Sequence, residues 1–186
     1  MNTGTMPRRR LAVRYEGEDR MTTASPEQLN TPSDLGTEAT VALADRLNAT
    51  LADSFALYLK TKNFHWHVSG PNFRDYHLLF DEQAGQILLS TDAIAERVRK
   101  IGKTTVRSIS DIARRQTLPE NNAGFVGARD MLAELANDNL HLVQSLRAAK
   151  AVADEARDNA TSGLIDAWTD EAEQRAWFLF ETGRHG

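Results

Sequence analysis

Residues 62–73, Lys62-Asn63-Phe64-His65-Trp66-His67-Val68-Ser69-Gly70-Pro71-Asn72-Phe73, hold the end of one helical pattern, a turn and the start of another. Upstream, Leu43, Leu47, Leu51, Phe55 and Leu59 recur every four residues, which predicts one apolar stripe on a helix running from Thr37 to near His67. Ser69-Gly70-Pro71-Asn72 is a turn signal. Downstream, a second helix is predicted from Asn72 to Ile101, with Gly102 as its stop.

Working outward, residues 102–124 read as a long connection. A short helix is expected at Ser108–Arg115, and Pro119 and Gly124 interrupt the rest. A third helix is expected over Gly127–Asp154, with Met131, Leu135, Leu142 and Leu146 inward. A fourth is expected over Asp158–Glu181, with Ile165, Trp168, Ala172 and Leu179 inward. No β-type alternation competes. Short links join antiparallel neighbours, whereas the long link permits a crossover along the bundle. The expected fold is therefore all-α, a ferritin-like four-helix bundle whose crossover between helices 2 and 3 contains a short helix.

Composition bounds the rest. The chain has 186 residues, enough for one domain plus a tail, with 41% hydrophobic residues and a formal net charge of -4. It has no cysteine, which excludes disulfides, cysteine zinc sites and thiol catalysis. No apolar run approaches a membrane span. Residues 1–35 read as a flexible N-terminal arm and 36–186 as the bundle domain. Arg8, Arg9, Arg10 and Arg14 stand without an acid before residue 15, but no signal-peptide apolar core follows them, so the expected location is cytoplasmic.

The chemistry concentrates on the second helix. His77 and Asp81 are four residues apart, as are Asp92 and Glu96, so each pair shares a helix face. Imidazole with carboxylate suits iron, zinc or manganese. His77 and Asp92, however, are fifteen residues apart. At about 1.5 Å per residue that is about 22 Å, while metal ligands lie about 2.0–2.6 Å from their ion. One continuous helix cannot close such a site. Two copies packed antiparallel across a two-fold axis can, and they would hold two equivalent sites. Gly85 would permit close approach there. No glutamate precedes a histidine by three, and Asp138 before His141 is the sole aspartate pair of that kind. An ordinary intra-bundle di-iron site is therefore disfavoured. With no nucleophile constellation beside these residues, redox iron chemistry ranks above hydrolysis.

Lys62-Asn-Phe-His65-Trp66-His-Val-Ser-Gly70-Pro-Asn72-Phe73, His77, Asp81, Asp92, Glu96-Arg97, Ile101-Gly102 and the later Trp177-Phe178 resemble the Dps family of starvation-induced, DNA-protecting miniferritins. The resemblance covers about residues 37–182 and is most specific over 62–102. It implies a dodecameric hollow shell, a homo-oligomer that acts as a ferroxidase, oxidises ferrous iron with hydrogen peroxide and stores the ferric product. It implies metal ligands His65, His77 and Asp81 from one chain with Asp92 and Glu96 from its mate, and Trp66 beside the centre. Asp154, Glu155 and Asp158 are pore candidates, although Gly163 stands where the family often has an aspartate. Two rivals remain: a DNA-compacting shell with little ferroxidase activity, and a zinc- or manganese-loaded shell. DNA contact would fall to Arg8, Arg9, Arg10 and Arg14, and the protein would then be nucleoid-associated. Residues 1–35 balance five arginines with five acids, so only the first part of the arm is basic.

Overall fold

The computed structural model describes residues 27–184. The first 26 residues of the expected arm, with Arg8, Arg9, Arg10 and Arg14, lie outside the described residues, as does His185. After a single 3-10 turn at Glu27–Leu29 come five helices: α1 Thr37–His67, α2 Phe73–Lys100, α3 Ile109–Arg115, α4 Ala128–Glu155 and α5 Asn159–Gly183. Among the described residues there is no strand, and no helix is long and apolar enough to cross a membrane.

The four long helices pack as two hairpins, α1 on α2 and α4 on α5, joined mainly through α1 against α4. Leu43, Leu47 and Leu51 are fully buried, each contributing about 1.5–3 kcal/mol. Leu59, expected on the same stripe, is 59% exposed. A four-residue step overshoots one helical turn by about 40°, so four steps carry a side chain nearly to the opposite face. The core follows the true 3.6-residue period through Leu57, Thr61 and Phe64 instead. Met131, Leu135, Leu142, Leu146, Ile165, Trp168, Ala172 and Leu179 are buried as expected.

The α1–α2 turn needs left-handed backbone at Gly70 (φ 98°) and Asn72 (φ 63°), residue types that tolerate it. Two polar residues of α1 hold the crossover. Asn48 Nδ2 donates to Thr104 O (3.0 Å), and its Oδ1 accepts from Thr105 Oγ1 (2.9 Å). Asp53, wholly buried, accepts from Thr117 N (2.5 Å), Leu118 N (3.0 Å) and Thr117 Oγ1 (2.8 Å). The crossover is thereby tied down on both sides of α3, which packs on α1.

Residues before α1 lie against the end of α2. Arg99 donates to Leu29 O (2.6 Å) and Lys103 O (2.5 Å). A Cβ at Gly102 would stand 2.8 Å from Thr31 O, and φ there is 80°. Both the turn and the passing chain therefore require glycine at this position.

Candidate metal centre

His65 lies in the last turn of α1 and His77 in the second turn of α2, and the connection between the helices brings the rings face to face at 3.8 Å, 25° apart. Each ring holds the other's backbone. His65 Nδ1 lies 2.8 Å from His77 O, and His77 Nδ1 lies 2.9 Å from His65 O. A carbonyl oxygen can only accept, so each Nδ1 carries the hydrogen. In the neutral imidazole the lone pair then sits on Nε2, the form a metal needs. The His77 bond also satisfies a carbonyl in the last turn of α1, where intrahelical donors run out. Phe73, one turn before His77, braces that ring at 5.1 Å.

Asp81 Oδ1 lies 3.9 Å from His65 Nε2 and receives Lys62 Nζ at 2.6 Å. The Lys62 hydrogen bond is the main reason the Asp81 carboxyl sits below its usual range. The charge of Lys62 adds to the effect, against a smaller opposing push from desolvation. Asp81 is thus an ionised acceptor beside two imidazoles. Lys62 was missed in the sequence, because nothing in its spacing shows that it reaches α2.

Asp92 and Glu96 are both exposed near the far end of α2. Glu96 pairs with Lys100 at 3.1 Å, a surface contact that another cation can displace. Because α2 is continuous over Phe73–Lys100, these two carboxylates do not reach the histidines of their own chain. No group of three or more metal-type donors forms among the described residues. Successive helical residues turn by about 100°, which places His77, Asp81, Gly85, Leu88, Asp92 and Glu96 within about 100° of one another around α2. Each is exposed except His77, which is half-buried.

The other singled-out residues are used elsewhere. His67 is exposed and turns its Nδ1 to Asn63 O (2.8 Å). Trp66 is 58% exposed, with Lys62 Nζ 5.9 Å from its ring centre. His141 Nε2 lies 2.8 Å from Thr117 Oγ1. Since that hydroxyl donates to Asp53, His141 is its donor. Asp158 is not free to line a pore. It is buried, caps α5 through Thr161 N (3.0 Å) and takes both oxygens to Arg97 Nη2 at 2.7 Å. Burial pushes its carboxyl up, but the Arg97 and Thr161 hydrogen bonds outweigh that and hold it below the usual range. Asp154 accepts from Ser162 Oγ at 2.7 Å.

Helix order, crossover and inward faces define a ferritin-like bundle. In agreement, a family model described as a ferritin-like domain matches residues 44–182. The DNA protection during starvation protein of Brevibacillus brevis is 36% identical over 133 residues, spanning 72% of this chain and 89% of that one. Dps from Thermosynechococcus elongatus superposes with a TM-score of 0.78 at 27% identity, covering 81% of this chain and 95% of the other. A Dps protein from Vibrio cholerae O1, described as a member of a broad superfamily of ferritin-like diiron-carboxylate proteins, gives 0.79 at 25% identity, covering 86% and 100%. The chain belongs to the Dps family.

Proposed function

We propose that this chain is a ferroxidase and iron-storing miniferritin that consumes hydrogen peroxide at a site shared between two copies. Family membership implies iron storage and DNA protection. The proposed site takes His65, His77 and Asp81 from one chain and Asp92 and Glu96 from its two-fold mate, in a closed homo-oligomer such as a dodecamer.

One observation carries this reading. The reciprocal ring-to-backbone bonds leave two Nε2 lone pairs beside an ionised Asp81, on an open face whose remaining carboxylates lie too far along the same rigid helix. A second copy, antiparallel along α2, supplies what one chain lacks. Imidazole favours ferrous ion, and carboxylates favour the ferric product. Two ferrous ions, the substrate, give one electron each. Hydrogen peroxide takes both electrons with two protons and becomes two waters, so no hydroxyl radical is released. The locked rings need no reorganisation when iron binds, which is the residues' contribution to rate.

The test is anaerobic ferrous loading followed by peroxide, with ferric absorbance and radical production read together. Rapid oxidation without radicals is expected, with a loss of about 100-fold in His77→Ala at unchanged helix content. Wild-type rates in that variant would refute the assignment. Tight zinc or manganese binding without iron turnover would replace it with a shell loaded by another metal.

A further inference from the structure

Lys60 lies on α1 facing α4, and its side chain is 7% exposed. Its ammonium stands 2.9 Å from Glu134 Oε1 and 2.8 Å from Asp138 Oδ2, carboxylates one turn apart on α4. Burial pushes the Asp138 carboxyl above its usual range. Glu134 pushes it the same way, while Lys60 and His141 oppose. Two acids directed at one interior point form a site that demands a cation.

The lysine fits that site by charge more than by geometry. Lys60 Nζ and Asp138 Oδ2 are both buried and paired at 2.8 Å, but the angle of approach lies outside ordinary hydrogen-bond geometry. The other buried acids differ, since Asp53 and Asp158 receive well-directed donors. An ammonium has three fixed N–H directions, whereas a metal ion accepts oxygen from any side. The second Glu134 oxygen is steadied by Asn121 Nδ2 at 2.7 Å. A cleft of about 670 Å³ between α1 and the end of the crossover is lined by Lys60, Asn121 and Met131, and so reaches the lysine's side of the site.

We propose that Glu134 and Asp138 form an intra-chain cation site, occupied by the ammonium of Lys60, which thereby keeps divalent metal out of the α1–α4 interior. Without the lysine, the site takes a hard divalent cation on two carboxylates, with water completing the shell. A consequence that rests on the proposed ferroxidase function is that iron is confined to the site between chains. The cation site itself is independent of that reading.

Lys60→Met keeps the side-chain length and removes the charge. In a Mn²⁺ titration read by electron paramagnetic resonance, K60M should bind about one more ion per chain than wild type. Its melting temperature should fall in chelator and recover with Mn²⁺, a response absent from wild type. Adding Glu134→Gln to K60M should abolish both gains. Should K60M not accumulate, Lys60→Gln gives the same readout with a neutral polar side chain. Equal Mn²⁺ counts in wild type and variant, with no Mn²⁺-dependent recovery, overturn the proposal. So does a wild type that loses an ion on Glu134→Gln. Because the count is a difference between variants, it stands even if wild-type iron oxidation fails, which would sink only the ferroxidase reading.

Discussion

Replacing Gly85 with leucine should separate the fold from the assembly. If α2 pairs antiparallel with a copy of itself so that residue 77 meets 92 or 96, the two-fold axis crosses the helix between residues 84 and 87. Gly85 stands at that crossing. Within its own chain a Cβ there meets nothing within 4 Å. Leucine is also a better helix former than glycine, which ranks about 0.8–1.0 kcal/mol below alanine, so the isolated protomer loses nothing. Across the axis the effect reverses. An isologous contact places each leucine against its own copy, and helices that close sit about 8–10 Å apart with little room for the pair. Leu88 at 42% and Leu89 at 80% exposure flank the crossing and would lose their partners. Ligands must stay about 2.0–2.6 Å from the metal, so a displacement of about 1 Å should cost about 100-fold in oxidation rate. Far-UV circular dichroism should show unchanged helix. Size-exclusion chromatography with light scattering should show smaller species, and stopped-flow peroxide oxidation should slow. A variant that assembles normally and oxidises iron at the wild-type rate would show that α2 does not pair in this register.

Asp53→Ala should destabilise the fold by about 3 kcal/mol in urea unfolding, because the buried Leu118 N–H loses its acceptor while the exposed Thr117 can turn to water. An unchanged midpoint would mean that the crossover is not anchored there. The Asp158 carboxyl, held below its ordinary value by Arg97 and Thr161 despite burial, should stabilise the fold fully above about pH 4, and that contribution should vanish as pH falls through the lower folded value. Guanidinium unfolding of wild type and Asp158→Asn should therefore differ most near neutral pH and converge in acid. A gap that widens toward acid would contradict the Arg97 pairing.

Much of the bundle was legible because helices advertise themselves locally. Apolar spacing and the Ser69-Gly70-Pro71-Asn72 turn depend on neighbours a few residues away, and the helix bounds came out within a residue or two. Leu59 was misplaced because a strict four-residue repeat drifts around the helix. The span of the proposed site was legible too. Fifteen residues of helix between His77 and Asp92 exceed any metal's grasp, so a site that used both would need a second chain.

What the tertiary structure alone decided were contacts between residues far apart in sequence. It set the tautomers of His65 and His77, since the carbonyl each ring meets belongs to the other helix. It withdrew Asp158 from the pore candidates by burying it against Arg97, sixty-one residues away. It placed Lys60 between two acids of α4, where the sequence shows just a charge within an apolar stripe. The physical reason is common to all three. Helical periodicity is written in short-range spacing, whereas the partner of a buried polar group is chosen when separate helices pack.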